Sequence, residues 1–167
     1  MSETPSYKGL QPASEAASHA KHGNRSTDTL HEVLLRRELW HIGLRFRKNV
    51  KTLPGKPDIV FIGAKVAVFR DGDFWHGRKW FSLEGKLIQW TNGEYWSAKI
   101  STDIERDRRN NALLEGNGWH VIRIWESSIK KDVAAAVTLV REVVEIRNHN
   151  KKKSDSEVRE SGSDEFY

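Results

Sequence analysis

The sequence predicts a small mixed α/β sheet flanked by helices, in the order α, β, β, β, α, β, α. Three observations carry that reading. Apolar residues recur at helical spacing over 30–42 and again over 133–144. Asp58 to Ile62 and Lys65 to Phe69 are short β-branched and aromatic runs split by Gly63-Ala64, the pattern of a hairpin. Trp119 to Trp125 alternates as a further strand. At the centre lies LPGKPDIVFIGAKVAVFRDGDFWH, residues 53–76, with Asp58 at its entrance and Asp71, Asp73 and His76 at its exit.

Taken in order, residues 1–24 are rich in Ser, Ala, Glu and Pro without periodicity and read as a flexible arm. Ser26 to Thr29 offer N-caps, and Thr29 with Glu32 makes a capping box. Leu30, Val33, Leu34, Leu35, Leu39 and Ile42 follow at helical spacing, and Gly43 is a natural stop. Glu32 has two readings: a cap, which spacing alone favours, or a group pointing at the hairpin to help hold a metal or a water. Leu44 to Arg47 alternates apolar and basic, as a half-buried strand would. Leu53-Pro54-Gly55-Lys56-Pro57 is a rigid turn that fixes where Asp58 enters the next strand. The near-continuous apolar character of the two hairpin strands implies burial on both faces. An aspartate heading such a strand is costly to bury without compensation.

Residues 72–97 read as a loop carrying Phe74, Trp75, Trp80, Phe81, Trp90, Tyr95 and Trp96 among Arg78, Lys79, Lys86 and glycines. These aromatics could cover the core, or stack on and wedge between bases. A second helix is expected to begin at Thr102 or Asp103 and to end at Gly116-Asn117-Gly118. Its Arg106, Arg108 and Arg109 surround Asp107, either as a solvated charged face or as phosphate contacts. Val133, Ala136, Val137, Val140 and Val144 mark the last helix, and the polar residues after Asn148 are expected to be disordered. The expected divisions are an arm over 1–24, a folded domain over 25–147 and a polar tail over 148–167.

No run approaches the roughly 20 apolar residues of a membrane helix, so a soluble protein is expected. The N-terminal residues have neither the basic nor the apolar region of a secretion signal. The absence of cysteine excludes disulfides and thiolate metal sites and fits a cytoplasmic setting. The net charge is +5. Residues 1–24 balance and 148–167 hold four basic against five acidic residues, so the middle segment carries about +6. A basic domain points to a polyanionic partner.

Cleavage of a phosphodiester needs charge stabilisation at the phosphate, an activated water and help for the leaving oxygen, all of which carboxylate-bound Mg²⁺ can assist. Mg²⁺ takes hard oxygen ligands, often only one or two carboxylates plus waters. Asp58 and Asp71, at the two ends of a tight hairpin, are placed to share one ion. His76 is a candidate base that can take a proton from water.

LPGKPDIVF, FRDGDFWHG and EYWSAKISTDIERDRRNNALLEGNGWHVIRIWE, in that order and at those separations, closely resemble the very short patch repair (Vsr) endonucleases, a branch of the PD-(D/E)xK nuclease superfamily. The resemblance runs from about Arg25 to Ser127 and implies a restriction-endonuclease-like core. It implies that Asp58 binds the metal together with the backbone carbonyl of Arg70, that His76 activates the attacking water, and that Asp107 orients His76 or that water. It moves Glu32 from cap toward site residue, and puts Phe74, Trp75 and Trp96 where the family inserts aromatics beside a thymine-guanine mismatch. Two departures stand out. Arg70-Asp71 replaces threonine-histidine, adding a second carboxylate near the metal. The family's structural zinc falls on Asp73, Arg78, Trp80 and Ser127, so no structural zinc is expected and the aromatic loop should be held by packing alone.

The combined expectation is a Mg²⁺-dependent endonuclease, with Mn²⁺ as a substitute, that nicks or cleaves double-stranded DNA in mismatch repair or in restriction and defence. Its catalytic residues are His76, Asp107, Glu32, Asp58 and Asp71. Its metal ligands are Asp58, Asp71 and the Arg70 carbonyl, and Phe74, Trp75, Trp96, Arg106, Arg108 and Arg109 contact DNA. A monomer in the cytoplasm beside the nucleoid is expected, with no membrane association and with the tails open to protein partners. The alternative is a DNA-binding module on a nuclease fold that has lost activity.

Overall fold

A computed structural model describes residues 29–73, 76, 78, 85, 86, 89 and 92–161. Helix α1, Leu30–His41, starts at Thr29, whose hydroxyl accepts the Glu32 N–H. It closes through Gly43 at φ +87, with Gly43 N–H donated to Trp40 and Leu44 N–H to Leu39. This is the paired closure that a left-handed residue after a helix permits. The expected strand over Leu44 to Arg47 is displaced to Arg47–Lys48, β1. Leu44 and Phe46 alternate because they pack inward beneath α1, with Phe46 edge-on to Trp40 and Phe61, not because they are paired in the sheet.

The turn before Asp58 is fixed by Gly55, at φ +73. A Cβ there would lie 3.1 Å from both Phe69 and the Asn110 side chain, so only glycine lets the turn sit against them. β2, Ile59–Phe61, and β3, Val66–Asp71, form the expected antiparallel hairpin with Ile59 opposite Val68. β4, His120–Trp125, pairs parallel to β3 from Val66↔His120 to Asp71↔Trp125. That parallel partner carries β3 two residues past the expected end at Phe69, drawing Arg70 and Asp71 into the ladder. The sheet order is β1-β2-β3-β4.

Because side chains alternate along a strand, β3 feeds two cores. Val66 and Val68 join Leu35, Leu39, Ile59, Ile122, Ile124 and Val140 on one face. Ala67 and Phe69 meet Leu114 on the other. Each of the larger side chains contributes about 1.5–3 kcal/mol by leaving water, and together they make the end of β3 a rigid base. Arg70 and Asp71, the next residues on each face, inherit that rigidity.

Helix α2, Gly93–Gly116, begins about ten residues earlier than expected, after Asn92 at φ +62. It closes like α1: Gly118 N–H binds Glu115 O and Trp119 N–H binds Leu114 O. A short helix, α3 (Glu126–Lys131), follows β4 directly and buries Ile129; no periodicity announced it. The last helix, α4, runs over Val133–Ser161. The residues after Asn148 expected to be disordered therefore continue α4 as far as Ser161. The reason is local: no Gly or Pro interrupts 133–161, and Lys153 faces Glu157 one turn on. Residues 151–157 are exposed, so this part of the helix does not enlarge the core. Among the described residues no helix is long and apolar enough to cross a membrane.

Candidate active site

The sequence-predicted residues gather at the end of β3, distributed over both faces. On the α2 face, Asp71 is 3% exposed, and both of its oxygens are held by Arg123: Nε–Oδ2 2.6 Å and Nη2–Oδ1 2.8 Å. Arg123 also donates to Asp107 Oδ2 at 2.9 Å and to Asn111 Oδ1 at 3.0 Å. Asp107 reaches His76 Nδ1 at 2.5 Å, and Asp71 Oδ1 lies 3.7 Å from the same nitrogen. An ionised Asp107 selects the tautomer with the proton on Nδ1, which leaves Nε2 as an acceptor. The His76 side chain is 24% exposed.

The charges follow from these contacts. Burial opposes ionisation of Asp107, but the His76 hydrogen bond and the charges of Arg123, His76 and Arg106 outweigh it, so its pKa is lowered. Burial likewise works against the Arg123 cation, yet its hydrogen bond to Asp71 and the carboxylates of Asp71, Asp107 and Asp58 hold its pKa above the usual value. Asp71 is thus a buried partner of Arg123, not an open ligand as expected.

Asp58 sits where the two faces meet. Its backbone is fixed by Asp58 N–H to Val68 O at 3.0 Å and Asn49 N–H to Asp58 O at 3.1 Å. Its Oδ2 accepts the Arg70 N–H at 2.7 Å. Burial raises its pKa; the Arg70 N–H lowers it, and nearby Glu32 and Asp71 raise it further. A carboxylate placed among other carboxylates and stripped of water is stabilised by a cation. Oδ1 takes no hydrogen bond among the described residues. Asp58 therefore fits as a Mg²⁺ ligand, since that ion accepts a single carboxylate with waters completing its shell. Among the described residues no group of three or more His, Asp or Glu is arranged to hold an ion by itself.

On the opposite face Arg70 extends to Glu32 at 2.8 Å and to Glu126 at 3.2 Å, and Glu126 meets His31 Nδ1 at 3.1 Å. Glu32, 1% exposed, also accepts from the Thr29 hydroxyl at 3.1 Å. It is tied to the N-cap hydroxyl and is a buried ion-pair partner at once, and it bears on Asp58 through charge and through Arg70.

The other predicted contacts are scattered. Trp96 lies on α2, ring to ring with Tyr95 at 5.0 Å, and shares a helical row with Ile100, Asp103 and Asp107. Arg106 is engaged by Asp103 at 2.7 Å and Asp107 at 3.4 Å. Arg108 and Arg109 are exposed. At 100° per residue Arg106 and Arg109 lie roughly 60° apart, but Arg108 lies roughly 160° round the helix from Arg106, so the three arginines do not make one surface. Phe74 and Trp75 lie outside the described residues. The expectation that packing alone holds the loop is overturned. Asp73 accepts from Ser127 N–H at 2.9 Å, from Ser127 Oγ at 2.6 Å and from Arg78 at 2.7 Å, and Arg78 also reaches Ser127 Oγ.

Sequence reasoning missed Arg123, Asn111 and Glu126, and met Ser127 only as a position of the absent zinc. Arg123 had a signal: it falls on the face of β4 shared with Val121 and Trp119, where a cation needs a buried carboxylate opposite.

The family described as DNA mismatch endonuclease Vsr matches residues 13–82. A type II nicking enzyme, V.NmeDIP of Neisseria meningitidis serogroup C, is 40% identical over 121 residues, 72% of this chain and 80% of its own length. The type II nicking enzyme V.NaeI of Lentzea aerocolonigenes is 39% identical over 75% of this chain and 76% of its own. The DNA mismatch endonuclease Vsr of Escherichia coli K12 is 35% identical over 62% of this chain and 64% of its own. On the family match and on relatives of this identity and coverage, this chain belongs to the Vsr endonuclease family.

Proposed function

We propose that this protein is a Mg²⁺-dependent DNA endonuclease that nicks one strand of a duplex by hydrolysing a phosphodiester. The observation that carries the reading is the 2.5 Å contact of His76 Nδ1 with Asp107, joined through Arg123 to Asp71, whose charge also bears on the carboxylate of Asp58. His76 Nε2 takes a proton from water as the oxygen attacks phosphorus, and the bond to the leaving sugar oxygen breaks as the new P–O bond forms. Asp107 holds the imidazole in the required tautomer and stabilises the imidazolium. Arg123 keeps Asp107 ionised and in place. Asp58 would hold the Mg²⁺, which when bound supplies charge stabilisation at the phosphate; Mn²⁺ would substitute, as another ion suited to oxygen ligands.

The matched relatives' names favour nicking over double-strand cleavage, and they include both a mismatch endonuclease and type II nicking enzymes. A mismatched duplex is the substrate we put first, with restriction-linked DNA second. An inactive DNA-binding module is disfavoured, because binding alone has no use for the His76–Asp107 pair. Nicking of supercoiled plasmid with Mg²⁺, on matched and mismatched duplexes, tests the reading. Asp58→Ala and His76→Ala should each lose at least about 10²-fold in rate; binding with no nicking by the wild type would sink the proposal.

A further inference from the structure

The chain leaves the sheet immediately after β3. Among the described residues His76 N–H reaches Gly72 O at 3.2 Å and Arg78 N–H reaches Asp73 O at 3.3 Å, two local turns. Side chains on either side of the histidine tie this segment to the rest of the fold. Asp73 and Arg78 pair with one another at 2.7 Å, and both converge on Ser127 in the first turn of α3. Ser127 gives Asp73 its backbone N–H as well as its hydroxyl, and the Arg78 guanidinium also lies 5.6 Å over the Trp125 ring. Residues 73 and 78 are therefore fastened at one point on the β4–α3 junction, with His76 between them.

We propose that Asp73, Arg78 and Ser127 form a clasp that positions His76 against Asp107, so that these three are positioning residues for the nicking reaction. The inference rests on His76 acting as the base. The clasp is anchored where Trp125 pairs with Asp71, and Asp71 is locked by Arg123 to Asp107. One rigid strand end thus sets both partners of the dyad: Asp107 through Arg123, and His76 through the clasp. A single hydrogen bond to Asp107 would leave the imidazole free to swing with its segment. Fastening the segment on both sides of His76 removes that freedom before DNA arrives, which is how an oriented base gains rate.

Three variants test it on the full chain, with plasmid nicking under Mg²⁺: Ser127→Ala, Ser127→Thr and Asp73→Asn, beside His76→Ala. Ser127→Ala and Asp73→Asn should lower kcat by about tenfold or more with KM for DNA unchanged. Ser127→Thr, which keeps the hydroxyl, should retain most of the rate. In the DNA-free protein, hydrogen exchange at the His76 amide should quicken in Ser127→Ala while the Val68 amide in β3 stays protected. That comparison also reports whether the variant is folded. Unchanged kcat in both clasp variants while His76→Ala is inactive, a rise in KM alone, or unaltered His76 exchange would each overturn the clasp. Full activity in His76→Ala would instead overturn the assignment of the base, and this inference with it.

Discussion

Arg70 and Asp71 are neighbours in one strand, and their side chains enter two networks of similar composition and different use. The Arg70 face joins Glu32, Glu126 and His31 from α1 and α3. The Asp71 face joins Arg123, Asp107, Asn111 and His76. Both bury ion pairs, but the first centres on a 1%-exposed glutamate and reaches water at Glu126, a carboxylate already paired with Arg70 and His31, whereas the second reaches water at the His76 imidazole. The first ties α1 and α3 to the sheet, and the second brings an imidazole to the surface. Charge clusters at a strand end thus differ according to which group meets water, here a paired carboxylate and there a histidine.

The largest effect that separates the two faces is expected for Asp107→Asn. An amide cannot stabilise the imidazolium and favours the wrong tautomer, so the nicking rate should fall by about 10²–10⁴-fold. Its melting temperature should move little in comparison. Glu32→Ala should behave in the opposite way. Removing one partner of a buried pair leaves Arg70 under-compensated and should cost about 3 kcal/mol, lowering the melting temperature by roughly 10 °C, while nicking per folded molecule changes far less. Calorimetry and rates on the same two preparations check the contrast. Equal loss of stability in both variants would erase the distinction between the faces.

A smaller effect is predicted at Asp58. Its pKa is raised in the fold, so the protonated form is favoured there; the associated stability is present at acid pH and is lost as pH rises through the folded value. Asp58→Asn should therefore melt a few degrees higher than wild type at neutral pH, while losing nicking. Asp107 has the opposite sign. Its lowered pKa contributes stability above the unfolded carboxylate value, and that contribution is lost as pH falls through the folded value. Acid unfolding followed by circular dichroism should begin at higher pH in Asp107→Asn than in wild type, whereas the advantage of Asp58→Asn at neutral pH should shrink toward zero as pH falls.

The legible parts of this molecule were those where one local rule acts. The Gly43 and Gly116-Asn117-Gly118 stops, the apolar hairpin and the valine-rich face of α4 were readable because propensity, pattern and packing agree there. The first turns of α2 were not. Over 93–102 only Gly93 and Ile100 are buried, so those turns carry no apolar stripe to read. The end of β3 was misplaced for a related reason: Arg70 and Asp71 have poor strand character and are held in the ladder by β4, a partner about fifty residues away. Asp58, His76 and Asp107 were legible as chemistry. The lock of Arg123 on Asp71 was not, because pairing between distant strands decides which carboxylate is covered and which stays open.

The central claim is that His76 and Asp107 act as one unit on the open face. Single-turnover nicking by His76→Ala, Asp107→Asn and the double variant tests it most directly. Groups that work as a unit are strongly non-additive, so the double variant should be no slower than His76→Ala alone. Multiplying losses, with the double variant slower by the product of the two single effects, would contradict the account.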